Sequence, residues 1–227
     1  MLTRYFTANR PGKPYKGIPM EGIIAKWYAK NGGRVSEQKM LVGKIKVALP
    51  AGGNILEVAP GPGYLSIELA NSAKYKVTGL EISKTFIEIA QNNAKKANVN
   101  VGFHHGNASD MPFEDKTFDF IICVAAFKNF SQPVEAIREM YRVLKPNGRA
   151  CIVDLRRDVP LEEINKHVQN DLHMSGFNAY FTKLVFRTFL LKNAYSKAEI
   201  DGLVSQTNFS KAKILEDTLG MEIWLEK

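Results

Sequence analysis

Asn54-Ile55-Leu56-Glu57-Val58, followed by Ala59-Pro60-Gly61-Pro62-Gly63, is the stretch on which the fold turns. A short apolar run gives way to a turn with two glycines, and residues 64–73 then take up helical spacing. That is strand, tight turn, helix. Outward from it the alternation repeats. Strands are predicted over 76–80, 99–104, 118–124 and 150–155, and the run at 118–124 is apolar enough to be buried on both faces. Helices are predicted from Ser83, as N-cap, through Ala97 and over 133–144, with a turn at Lys145-Pro146-Asn147-Gly148. Repeated strand–helix units imply a parallel sheet with helices on both faces.

Two further features complete the architecture. Residues 20–31 and 35–49 read as helices ahead of the first strand, and residues 160–192 as a helical insertion after the fifth. Ser196-Lys197-Ala198-Glu199 is a capping box opening a helix to about Gln206. The segments 211–216 and 221–226 flank a four-residue link, which allows an antiparallel hairpin. The expectation is an α/β, doubly wound, seven-stranded sheet, mostly parallel with a C-terminal antiparallel hairpin. Residues 1–50 would form an N-terminal helical cover. Residues 51–227 would form the main domain, with a helical cap insertion at about 160–192.

Composition is that of an ordinary globular chain: 227 residues, 45% hydrophobic and 24% charged. Cys123 and Cys151 lie in apolar runs and are expected as buried free thiols in a reducing cytoplasm. No apolar run reaches the roughly 18–20 residues needed to span a bilayer. The first sixteen residues are basic and lack acids, as in an organelle transit peptide, but Pro11, Gly12 and Pro14 break any amphipathic helix there. The net charge of +8 leans toward anionic partners, and a lysine-rich solvated surface explains it as well.

In open α/β sheets, ligands bind outside the carboxyl ends of the strands. The turn after the first strand has Gly61 and Gly63, but Ser66 stands where a dinucleotide fingerprint wants a third glycine. Glu57 at the strand end would repel a pyrophosphate, yet suits a cofactor with an ammonium and a sulfonium. Glu81 ends the second strand, where a carboxylate can accept from ribose hydroxyls; an exposed strand-end glutamate is the plain alternative.

Gly106-Asn107-Ala108-Ser109-Asp110-Met111-Pro112-Phe113 and Met140-Tyr141-Arg142-Val143-Leu144-Lys145-Pro146-Asn147-Gly148-Arg149 follow in order. Together with the glycine turn and Glu81, they resemble the class I S-adenosylmethionine-dependent methyltransferases, especially the ubiquinone/menaquinone C-methyltransferase group. The resemblance covers roughly residues 50–155. It implies S-adenosyl-L-methionine as cofactor, with Glu57 by the methionine amino group and Ala59, Gly61 and Gly63 along the amino-acid portion. It also implies Glu81 on the ribose, Ile82, Asn107 and Ala108 at the adenine, and Val124 at the end of the fourth strand. Ala59 replaces a glycine common in the family, tolerable where φ is negative. Asn107 replaces a common Asp, and its carboxamide can still accept from an adenine amino group.

The resemblance implies methyl transfer by in-line displacement to a small-molecule acceptor, with an anionic one admitted by the basic charge. The alternatives are a methyltransferase of RNA or protein, and a non-catalytic or nicotinamide-binding Rossmann domain. Nucleic acid is the less favoured partner and no metal is expected, since the four histidines and two cysteines lack ligand spacing. Lys128 reads either as a solvated turn lysine or as a group orienting the acceptor. His173 lies in the segment expected to cover the pocket, so it joins Lys128 as a candidate catalytic residue, here as general base. Tyr15, Met20, Tyr28, Asn129 and Tyr180 join Lys128 as pocket candidates; for the aromatics, cap core is the plainer alternative.

Overall fold

The structure is a computed structural model that describes residues 15–16, 20–31, 35–168, 191–209 and 211–227. Its strands are β1 (Gly53–Val58), β2 (Tyr75–Glu81), β3 (Val101–His105), β4 (Phe118–Val124), β5 (Leu144–Leu155), β6 (Lys211–Glu216) and β7 (Gly220–Glu226). They form one sheet in the order β3-β2-β1-β4-β5-β7-β6. β7 runs antiparallel to β5 and β6, and the pairings among β1 to β5 are parallel. The expected mixed seven-stranded sheet is therefore observed. Strand order reverses between β1 and β4, which places the ligand crevice of such sheets at their carboxyl ends.

Successive strand residues point to opposite faces of the sheet, as the two-residue period requires, and two core clusters divide them. Ile55, Val77, Phe120, Ile122 and Cys151 pack with Leu41, Val42 and Ile45 of α2 (Val35–Ala48) and with Leu65 and Leu69 of α3 (Tyr64–Ala70). Leu56, Val58, Ile121, Cys123 and Ile152 join Ile137 and Met140 of α5 (Pro133–Val143) and Ile200 and Val204 of α7 (Lys197–Val204). β4 is thus buried from both sides. Each such aliphatic side chain contributes about 1.5–3 kcal/mol relative to leaving it in water. Both cysteines are buried and unbridged.

The predicted caps form. Ser83 Oγ accepts from Phe86 N at the start of α4 (Lys84–Lys96), 3.0 Å away. The reciprocal box between Ser196 and Glu199 opens α7. One expectation is corrected. Residues 145–148 do not stand outside the sheet as a turn but lie within β5 as an irregularity, where the register jumps from Phe118↔Leu144 to Phe120↔Arg149. Asn147 takes φ 62 there, and backbone bonds to Lys227 hold the bulge. Helix α5 accordingly stops at Val143, one residue short of expectation.

α1 (Gly22–Asn31) packs against α4, and α6 (Leu161–Lys166) follows β5. The expected cap insertion continues into residues 169–190, which lie outside the described residues. No described helix is long and apolar enough to cross a membrane.

Candidate active site

The turn after β1 is built from left-handed backbone: Ala59 at φ 58, Gly61 at φ 53 and Gly63 at φ 79. The condition on which Ala59 was expected to be harmless, a negative φ, is not met. The left-handed region costs an L-residue about 1–2 kcal/mol, and the family's usual glycine at this position avoids that cost. The strain is held by a bond from Ala59 N to Leu80 O, 2.8 Å. Gly61 and Gly63 serve different ends. A Cβ on Gly63 would collide with Phe103 at 2.8 Å and Ala90 at 2.9 Å, whereas one on Gly61 would project into open space. Gly63 is therefore fixed by packing, and Gly61 leaves the turn open to a ligand.

Beneath the turn lies Glu57, 4% exposed. Burial pushes its carboxyl up to about 7; hydrogen bonds from Ser66 oppose this, and the nearby charge of Glu81 adds to it. Ser66 is itself fully buried, with its hydroxyl donating to Glu57 Oε2. In the sequence Ser66 counted only as a missing third glycine. Its hydroxyl satisfies a buried acid, and a hydroxyl in the first turn of the helix that follows a strand-end glutamate was the available signal.

Glu81, at the end of β2, is also buried rather than an exposed strand-end acid. Its Oε2 accepts from Gly61 N and its Oε1 from Ile82 N and Ser83 N, each at 2.9 Å. Burial raises its pKa while those three amides oppose the rise. A carboxylate has about four acceptor positions. Three are taken by backbone, leaving one on Oε2, so the expected pair of ribose hydroxyls meets a single open position.

Asn107 is half-buried in a local turn, its Oδ1 accepting from Ser109 N at 3.2 Å and its carbonyl from Asp110 N at 3.0 Å. Ala108 packs into the core with Leu80 and Met111, which leaves its backbone as the group to meet a ligand. Ile82 and Val124 are half-buried at the carboxyl ends of β2 and β4.

Across the crevice, Lys128 is not a solvated lysine. It is 5% exposed and its Nζ lies 2.8 Å from Asp154 Oδ1 and 2.6 Å from Ala125 O. Asp154 also accepts from the amides of Lys128 (2.9 Å) and Leu155 (2.8 Å). The pair ties the turn after β4, including Ala125 at φ 55, to the end of β5. Asp154 was missed from sequence because an acid after an apolar run reads as the solvent end of a strand.

The amino-terminal candidates reach both banks. Tyr15 bridges Phe130, and Lys16 N donates to Asn129 O at 2.6 Å, beside the β4 turn. Met20 O accepts from Ser83 Oγ at 2.6 Å, and Glu21 accepts from Lys84 N at 2.9 Å and Thr85 N at 3.1 Å, at the start of α4. Tyr28 packs edge-on against Phe86, 5.9 Å between ring centres. Residues 15–16 and 20–21 are thus fastened on opposite sides of β1. His173 and Tyr180, like Phe177, Phe181 and Phe186, lie outside the described residues.

Comparison with known proteins agrees with this geometry. Residues 55–148 match the model of a methyltransferase domain family. A demethylmenaquinone methyltransferase of Listeria welshimeri is 35% identical over 148 residues, covering 63% of this chain. The chain spans 58% of that relative's length. One of the same name from Chlorobaculum parvum is 37% identical over 180 residues, covering 74% of this chain and 70% of the relative. The crystal structure of a SAM-dependent methyltransferase from Aquifex aeolicus shares the fold, with a TM-score of 0.62 at 17% identity, covering 86% of this chain and 98% of that one.

Proposed function

Because this chain belongs to the class I S-adenosylmethionine-dependent methyltransferase family, in the group of the demethylmenaquinone methyltransferases, we propose that it methylates a small-molecule acceptor of quinone type. The donor would be S-adenosyl-L-methionine, seated between the β1 turn and the end of β2. The observation that carries this reading is the pair of buried carboxylates, Glu57 and Glu81, beneath and beside a double-glycine turn. Among the described residues no lysine or arginine pairs with either. Two buried acids whose pKa values are raised chiefly by desolvation suit a cation and disfavour a pyrophosphate.

In this arrangement Glu57 lies under the ammonium, while Ala59, Gly61 and Gly63 line the amino-acid portion with backbone. The open position on Glu81 Oε2 takes one ribose hydroxyl, and Ile82, Asn107 and Ala108 border the adenine. Val124 and Asn129 face the transfer side. The donor supplies an activated methyl group, whose bond to sulfur breaks, leaving its electron pair on sulfur, as the acceptor atom bonds to carbon. The chain's contribution is orientation and exclusion of water, and well-oriented reactions reach effective molarities of about 10⁵–10⁸ M. Lys128 is neutralised by Asp154, so it brings no net charge for an anionic acceptor. The relatives' name supports a quinone instead. We place the activity in a reducing cytoplasm, a reading supported by two buried, unbridged thiols.

Titration calorimetry with S-adenosylhomocysteine tests the cofactor assignment. Saturable binding is expected, weakened about tenfold or more in Glu81→Gln, which loses a charge-assisted acceptor. No heat at millimolar ligand, or saturable binding of NADH instead, would overturn the assignment.

A further inference from the structure

We propose that Lys16 and Tyr195 together form the subsite that grips a carbonyl or phenol oxygen of the methyl acceptor. The two residues stand 179 positions apart in the chain, yet Lys16 Nζ lies 2.8 Å from Tyr195 Oη, and both are half-buried. Each is mounted at the carboxyl end of a strand. Lys16 N donates to Asn129 O (2.6 Å), in the turn after β4. Tyr195 O accepts from Arg157 N (3.0 Å), just past β5, and its ring centre lies 5.7 Å from that of Phe127. Arg157 also donates through Nε to Ala194 O (2.7 Å), and the capping box of Ser196 and Glu199 fixes the residue that follows. The pair is therefore held in place over β4 and β5, at the end of the sheet where ligands bind and on the bank away from Glu57 and Glu81.

Counting protons shows what the pair can hold. An ammonium has three N–H donors and a phenol has one O–H. Tyr195 Oη accepts one of the three and keeps its own proton to give. Two donors of Lys16 and one of Tyr195 remain. Among the described residues no carboxylate lies within ion-pair distance of Lys16, whereas Lys128 is neutralised by Asp154. Converging donors with an uncancelled positive charge suit an oxygen carrying partial or full negative charge, and they repel an amine. Phe127 and Phe130, edge to face at 5.5 Å, supply aromatic surface beside them for a flat ring. The subsite presupposes an acceptor of quinone type, and it assigns that acceptor's oxygen to the β4–β5 bank.

Calorimetric titration of the full chain with 1-naphthol and with 1-methylnaphthalene, each with and without saturating S-adenosylhomocysteine, tests the subsite. The probes share one ring system, and only the first carries oxygen. Wild type is expected to prefer 1-naphthol about tenfold or more. Lys16→Met and Tyr195→Phe should each cut that preference about threefold or more, whereas Lys16→Arg should keep most of it. Tyr195→Phe retains the ring against Phe127, and all three variants should bind S-adenosylhomocysteine as wild type does. Equal binding of the two probes by wild type, or binding of neither, overturns the proposal. So does a variant that weakens both probes in parallel, since the pair would then serve the fold alone. Failure to bind S-adenosylhomocysteine would strike the cofactor assignment instead, and the probe preference of the free chain would still decide the subsite.

Discussion

The two banks of the crevice bury similar groups and treat them oppositely. On the β1–β2 side, Glu57 and Glu81 share a desolvated space, and the pKa of each is raised. On the β4–β5 side, Asp154 is as deeply buried, yet Lys128 and two backbone amides meet it. Depth alone therefore does not mark a binding position. The β4–β5 bank is electrically complete and acts as a fastening, whereas the β1–β2 bank carries an excess of negative potential that an incoming cation relieves.

The contrast can be broken from its closed side first. Lys128→Met leaves Asp154 buried without its counter-charge and should cost about 3–5 kcal/mol of stability in urea unfolding. Lys128→Met/Asp154→Leu should recover most of that. A single-variant loss below about 1 kcal/mol, the value of a surface pair, would erase the distinction.

The open side makes a prediction in pH. The folded-state pKa of Glu57 stands near 7, above the ordinary 4.5, so the folded chain binds the extra proton. The contribution of Glu57 to stability is then fully present below pH 4.5 and is lost as pH rises toward 7, a fall of about 3 kcal/mol. Glu57→Gln should flatten that part of the stability profile, read as melting temperature against pH. A variant profile parallel to wild type would remove Glu57 from the argument.

The smallest effect belongs to the turn between them. Ala59→Gly exchanges left-handed strain of about 1–2 kcal/mol for greater unfolded-state entropy, and a net gain of about 0.5 kcal/mol is expected. Thermal unfolding reads it; a destabilised variant would mean that the alanine is not strained at φ 58.

How far the sequence was legible follows from the range of the forces involved. Caps at Ser83 and Ser196, the alternation of β1 to β5 and the closing hairpin are local patterns, and they read correctly. Glu57 and Glu81 were singled out because carboxylates at those strand ends suit an ammonium and ribose hydroxyls. Their acceptor geometry was hidden in part, since the amide of Gly61 meets Glu81 only after β1 and β2 pair. The Lys128–Asp154 tie joins residues 26 apart, one in the turn after β4 and the other on β5, and no periodicity signals that. The sign of φ at Ala59 was hidden too, because an alanine carries no trace of the turn imposed on it.

One guanidinium joins two runs that lie far apart in the sequence. Arg142 donates to the carbonyls of Met111 (3.0 Å) and Phe113 (2.7 Å) and pairs with Asp115 and Glu139. Met111 N in turn donates to Glu139, 2.8 Å. The stretch after β3 and the end of α5 are therefore halves of one knot. The knot lies away from the crevice residues, so those letters record how the chain is tied and not what it methylates. Acceptor preference has to be sorted by the residues that border the pocket.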